Sequence, residues 1–149
     1  MKLKNRVAIV TGGGKGIGRE ICIGLSKEGA KIVIADLDKE NSSKVINDIK
    51  NVGSDAIAVE TDISNESSVD NLILETIKKF GKIDILINNA GIRHVKKLAD
   101  HNLKDWNDML SVNLTGPYIC CKAAIPEMKK VGKGKIINFG SIASFMGRP

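Results

Sequence analysis

The feature that most constrains this chain is an alternation. Short, largely apolar runs recur along it: RVAIVT (Arg6 to Thr11), KIVIAD (Lys31 to Asp36), DAIAVE (Asp55 to Glu60), IDILIN (Ile83 to Asn88) and KIINFG (Lys135 to Gly140). They are rich in β-branched residues, too brief for helices, and read as strands buried on both faces. Between them lie stretches of helical period. Ile17 to Glu28 carries Ile17, Ile21 and Leu25 on one face, and a second stretch runs from about Lys39 to Val52. A third, capped by Ser64 or Asn65, ends at Phe80 with Gly81 as its stop, and a long one covers about Leu103 to Lys130. Strands that alternate with helices predict an α/β fold, a doubly wound parallel sheet covered on both faces. With 149 residues and neither repeat nor linker, the chain predicts one domain over 1–149.

Composition removes several classes of function. The longest apolar runs, such as IVIA and ILI, are too short to span a bilayer, and Lys2 and Lys4 lead straight into a strand. The reading is therefore no signal peptide, no membrane segment and a cytoplasmic location. Cys22, Cys120 and Cys121 fit neither a metal spacing nor a disulfide framework, and read as buried small hydrophobes. His94 and His101 lack the clustering of a metal site. The net charge of +6 is spread over helix faces (Lys44, Lys50, Lys78, Lys79, Lys129, Lys130), and aromatics make up only 3 %. That leaves little for a base-stacking platform, so no nucleic-acid partner is expected.

The chemistry begins where the first strand meets the first helix, at TGGGKGIG. Gly12, Gly14, Gly16 and Gly18 stand where a tight turn lets backbone approach a pyrophosphate at a helix N-terminus, with Lys15 and Ile17 between them. A merely tight turn is the alternative, made weaker by the strand before it and the helix after it. Asp36 ends the second strand, at the usual distance for an acid that accepts from the adenosine ribose hydroxyls. A carboxylate there repels a 2′-phosphate and favours NAD over NADP. Lys15 pulls the other way, and a helix-capping role for Asp36 is the competing reading.

Together these residues resemble the short-chain dehydrogenase/reductase family, along the chain from Lys4 to Pro149. Thr11-Gly12-x-x-x-Gly16-x-Gly18 matches its cofactor loop. Asp62 in TDIS, with Ile63 beside it, matches the aspartate that meets the adenine ring, and NNAG (Asn88 to Gly91) matches the motif after the fourth strand. Asn113 in SVNLTG and Ser141 in NFGSIAS resemble the family's helix asparagine and catalytic serine. The resemblance implies that Ser141 holds the substrate oxygen and Asn113 anchors a water of the proton relay. Asn89, Ala90 and Gly91 would line the cofactor cleft. It also implies an NAD-dependent oxidoreductase of a small secondary alcohol or ketone, and self-association through the helix around Asn113.

One motif sits in the wrong place. Tyr118 and Lys122 form a Tyr-x-x-x-Lys pair, which the family carries after its serine, whereas here it comes before. On a regular helix, at ~100° per residue, Tyr118 lies about 140° and Lys122 about 180° around the axis from Asn113. The pair is therefore expected to be a decoy. Tyr118 is the one tyrosine in the chain. The sequence then reads as the cofactor-binding part of a dehydrogenase, cut after its fifth strand, inactive alone and prone to associate through that strand. Two alternatives stay open: a non-catalytic dinucleotide-binding module or sensor, and a split enzyme whose partner supplies the tyrosine. IRHVKKLADHN (Ile92 to Asn102) would border the cleft. It is basic enough for an anionic substrate, although Lys96 and Lys97 read first as a solvated loop.

Overall fold

The computed structural model describes residues 1–142 and 146. The end of the NFGSIAS run and of the expected domain, residues 143–145 and 147–149, lies outside the described residues. Five strands form one parallel sheet in the order β3-β2-β1-β4-β5. They are β1 Val7–Thr11, β2 Lys31–Asp36, β3 Ala56–Glu60, β4 Ile85–Asn88 and β5 Lys135–Asn138. The helices are α1 Gly16–Lys27, α2 Lys39–Asn51, α3 Glu66–Phe80, α4 Leu103–Leu110 and α5 Gly116–Lys130. The doubly wound α/β architecture read from the alternation is the one observed.

The continuous apolar runs have a direct packing cause. Successive side chains of a strand face opposite sides, so a strand covered on both sides needs apolar residues at every position. Val7 and Ile9 of β1, with Val33 and Ala35 of β2, enter a core with Val69 and Leu72 of α3 and Ile119 and Ala124 of α5. Ala8 and Val10, with Ile32 and Ile34, enter the second core with Cys22 of α1 and Val45 and Ile49 of α2. Each fully buried Ile or Leu contributes roughly 1.5–3 kcal/mol relative to exposure. Burial pushes the thiols of Cys22 and Cys120 up to about 12, so both behave as small apolar side chains.

Helix ends follow their caps. Asp38 caps α2 by accepting from the Asn41 backbone N–H, and Asn65 caps α3 by accepting from the Ser68 N–H. Gly81 ends α3 in the left-handed region, at φ 77°. Helix capping is thus the work of Asp38, and Asp36 is left for another role.

The expected unbroken helix from Leu103 to Lys130 is corrected: Ser111–Thr115 forms a π-helical turn between α4 and α5. Pro117 has no N–H to give the Asn113 carbonyl, and its ring crowds that carbonyl, so the regular ladder cannot run through this point. The angles drawn around a uniform helix from Asn113 therefore do not hold. Strand limits also tighten, since β4 begins at Ile85 and β5 ends at Asn138.

Candidate functional site

Strand β1 bonds to β2 on one side and to β4 on the other. After β1 the chain winds outward through β2 and β3, then crosses back to β4. Helices leave the sheet on opposite faces at this point, and a crevice opens at the carboxyl ends of the strands. A cleft of about 430 Å³ occupies it. Its walls are Gly12, Lys15, Ile17 and Gly18 from the first loop, and Ala35, Asp36, Leu37 and Asp38 after β2. Thr61, Asp62 and Ile63 follow β3, Asn89, Ala90, Gly91 and Ile92 follow β4, and Val112 reaches in from the π-helical turn.

The glycine loop is packed too closely for side chains. A Cβ on Gly18 would stand 2.0 Å from the Gly12 carbonyl oxygen and 2.7 Å from Asn89 Nδ2. Gly12 has φ +64°, where an L side chain is strained, and a Cβ there would come within 2.9 Å of Ala90 Cα. Helix α1 opens with no acid in its first turn and no side-chain cap on its leading N–H groups. Unclaimed donors and the positive end of the helix dipole favour an anion there. Gly14 and Gly16 belong to the loop without lining the cleft. Gly14 instead donates its N–H to Asp36 Oδ2 at 2.9 Å.

Asp36 carries two backbone bonds, the second from the Asp38 N–H to Oδ1 at 3.0 Å. Its carboxylate is thus fixed in direction between the glycine loop and the turn into α2. The Asp38 carboxyl sits below the usual carboxylate range because it accepts from the Asn41 N–H and amide, with Lys15 adding its charge. Asp62 lies on the same side of the sheet, its Oδ1 accepting from the Ser64 N–H and hydroxyl.

On the other side Thr11 is the organising residue. Its Oγ1 accepts from the N–H groups of both Asn89 and Ala90 at 3.0 Å. Asn89 returns the connection, donating Nδ2 to the Thr11 and Gly12 carbonyls at 2.9 and 3.2 Å. Asn89 therefore lines the cleft and braces the glycine loop against β4.

Asn113 does not line the cleft; its neighbour Val112 does. The Asn113 amide closes a double bond on Ile92, accepting from its N–H and donating to its carbonyl, both at 2.9 Å. Ser141 lies just past β5 and is not among the cleft residues. Nor are Tyr118 and Lys122. Tyr118 is 62 % exposed, and Lys122 is ion-paired at 3.2 Å to Glu66 of α3, which raises its pKa. Among the described residues no group of three or more His, Cys, Asp or Glu could hold a metal. None of their helices is long and apolar enough to cross a membrane.

Known proteins share this fold. The short chain dehydrogenase model matches residues 6–149. The chain belongs to the short-chain dehydrogenase family. An uncharacterized oxidoreductase of Thermotoga maritima is 40 % identical over 147 residues, covering 99 % of this chain and 57 % of that relative. A 3-oxoacyl-[acyl-carrier-protein] reductase of Synechocystis sp. is 39 % identical over 148 residues, with 99 % and 60 % covered. The crystal structure of an NAD⁺-bound xylitol dehydrogenase superimposes with a TM-score of 0.95 at 31 % identity, over 100 % of this chain and 58 % of that one. The chain thus spans somewhat more than half the length of these relatives.

In this short-chain dehydrogenase chain, sequence reasoning placed Gly12, Lys15, Ile17, Gly18, Asp36, Asp62, Ile63, Asn89, Ala90 and Gly91, all of which meet at one cleft. It gave no role to Thr11, Leu37, Asp38 or Val112. Thr11 was visible as the residue before the first glycine, but its bonds to Asn89 and Ala90 cross 78 and 79 positions. No local pattern announces such partners.

Proposed function

We propose that the cleft binds a nicotinamide dinucleotide, NAD in preference to NADP, and that the protein is an oxidoreductase interconverting a secondary alcohol and a ketone. The observation that carries this reading is Asp36, a carboxylate held at the cleft wall by the Gly14 and Asp38 N–H groups. A 2′-phosphate beside it would meet like charge, whereas ribose hydroxyls would meet an acceptor. The residues present also fit the cofactor's pyrophosphate. Gly12 and Gly18 let the loop close tightly on itself and on the β4 end, which leaves backbone rather than side chains beside the uncapped N-terminus of α1. Ile17, Ile63 and Val112 supply apolar surface for the rings.

When bound, the cofactor supplies hydride exchange at its nicotinamide. The chain's own residues would orient it: Gly12 and Gly18 by close backbone approach, Asp36 and Asp62 on the β2–β3 side, and Asn89, Ala90 and Gly91 on the β4 side. Asn113 would act by positioning, since it fixes Ile92 at the cleft margin. Ser141 is assigned to the substrate oxygen on the resemblance of its motif. Tyr118 and Lys122 are assigned no proton transfer, because the lysine is spent on Glu66 and neither side chain lines the cleft. That same observation supports a second reading for residues 1–149 as a dinucleotide-binding unit without turnover of its own. Self-association is supported by exposed Leu103, Trp106, Leu114 and Tyr118.

The experiment is a titration of the purified protein with NADH, followed by nicotinamide fluorescence, with ADP-ribose as competitor and an assay over alcohols and ketones. Saturable binding displaced by ADP-ribose supports the reading. Absence of binding overturns it, and turnover abolished by Tyr118→Phe would return that residue to the mechanism.

A further inference from the structure

The segment that leaves the cleft after β4 is pinned at two points, and it carries an arginine that the fold does not use. The first pin is Asn113 on the Ile92 main chain, through two bonds of 2.9 Å. The second is the ion pair of Lys96 with Asp105 at 2.6 Å, where Asp105 is 8 % exposed and itself caps α4 with Asn102. The Lys96 ammonium, with the Asn102 N–H, holds the Asp105 carboxyl below the usual carboxylate range. Arg93, His94 and Val95 are strung between these pins, directly after Ile92, which lines the cleft.

Of the arginines among the described residues, Arg6 is paired with Asp84 and Arg19 with Glu20 and Asp48. Arg93 is exposed and has no carboxylate partner among the described residues. Asp105, the acid tied to this loop, is paired with Lys96. His94 likewise keeps a buried Nε2 without a hydrogen-bond partner, its ring edge-on to His101. Asp36, Asp38 and Asp62 line the β2–β3 side of the cleft, with Lys15 in the glycine loop, and Arg93 and Lys97 follow in sequence the residues that line its β4 side.

We propose that Arg93 is a specificity-determining residue that receives a carboxylate on the substrate, so that the substrate class is a hydroxy or oxo acid rather than a neutral alcohol or ketone. The proposal rests on the dinucleotide reading of the adjoining cleft. A guanidinium offers a planar fork that matches a carboxylate with two parallel bonds, which an ammonium does not. The Asn113 bonds fix the Ile92 main chain just before the arginine, which removes part of the ordering cost of such a contact. Lys97, exposed and without an ion pair among the described residues, adds attraction at longer range without setting direction.

The test is calorimetric titration of the NAD-saturated protein with a 3-hydroxycarboxylate, its methyl ester and a phosphate monoester of matched length. The NAD affinity is measured first. The acid is expected to bind at least about tenfold tighter than the ester, the discrimination a charge-assisted bond supports. Arg93→Gln should bring acid and ester to near parity with the NAD affinity and melting temperature unchanged, while Lys97→Gln keeps most of the preference. Equal affinities in the wild type, a preference untouched by Arg93→Gln, or a phosphate ester bound tightest each overturns the proposal. Failure of NAD to bind overturns the cleft reading instead, so the two failures are distinguishable.

Discussion

The two flanks of the central strand are built differently. On the β2 side, β1 and β2 are buried almost throughout, and the loops that follow them are joined through the Asp36 carboxylate, which accepts from Gly14 and Asp38. On the β5 side, Lys135, Ile137 and Asn138 are exposed, and Phe139 just beyond the strand is 48 % exposed. Two strands of similar apolar composition therefore have opposite environments. The difference teaches that apolar runs specify strand character, while burial depends on which elements come to lie across them.

The sharpest way to break this contrast is at the glycine loop. Gly18→Ala forces a methyl group onto the Gly12 carbonyl and the Asn89 amide, so the loop and the β4 end must move apart. A loss of about 100-fold or more in NADH affinity is expected, with destabilisation of about 1–3 kcal/mol. Gly24→Ala, in the same helix family of positions but with open space around its Cβ, should leave affinity unchanged and add a few tenths of a kcal/mol or more of stability. Fluorescence titration and thermal melts compare the two variants directly.

The cores give the next contrast. Ile9, with no exposed surface at the centre of the sheet, should lose about 2–5 kcal/mol as Ile9→Ala. Ile137→Ala, at the half-exposed edge, should lose less than about 1 kcal/mol, because little area is removed from water there. Denaturant unfolding measures both, and equal costs would show that the edge is covered in solution.

Asp84 tests the floor of the sheet. It is 4 % exposed and accepts from Arg6 at 2.6 Å, from Lys82 at 2.8 Å and from the Val7 N–H at 3.0 Å. Burial alone would raise its pKa, but bonds from Lys82, Val7 and Arg6 outweigh this and hold it below the ordinary aspartate value. With the folded pKa depressed, its contribution is complete above the unfolded value near pH ~4 and is lost as pH falls through the folded one. Asp84→Asn should cost about 1–3 kcal/mol at neutral pH, and the difference from wild type should shrink on acidification in pH-dependent melts.

The smallest effects are expected at the misplaced motif. Tyr118→Phe and Lys122→Ala should leave NADH affinity and the melting temperature at wild-type values, since the side chains are exposed and lie off the cleft. A change in cofactor affinity from either would tie α5 to the site after all.

Much of this was legible in the sequence because it is local. The strand–helix alternation, the glycine loop, the Asn65 cap and the Gly81 stop all depend on neighbours a few residues apart. What escaped depends on distance or on a break in regularity. The stretch from Leu103 to Lys130 read as one long helix that Gly116-Pro117 could kink, whereas Pro117 removes a ladder bond and a π-turn over Ser111–Thr115 results. Gly116 was legible beside Pro117 as a point where the helix could kink, but not as a contact: a Cβ on it would meet Ile63 at 2.7 Å, which is why α5 can approach the loop after β3 so closely. Asp36 was placed at the cleft by its position after β2, but its rigid orientation comes from Gly14, a partner 22 residues earlier.

The central claim is that the cleft is a dinucleotide site read by Asp36. Its most direct test is calorimetry of the protein with NADH and with NADPH, run in parallel on the wild type and Asp36→Ala. The account predicts NADH bound at least about tenfold more tightly than NADPH by the wild type, the scale of one like-charge contact in a partly buried site. It also predicts a preference that narrows to within about threefold in the variant, with some loss of melting temperature because the Gly14 and Asp38 N–H groups lose their acceptor. NADPH bound as tightly as NADH by the wild type, or a preference that survives Asp36→Ala, would contradict it.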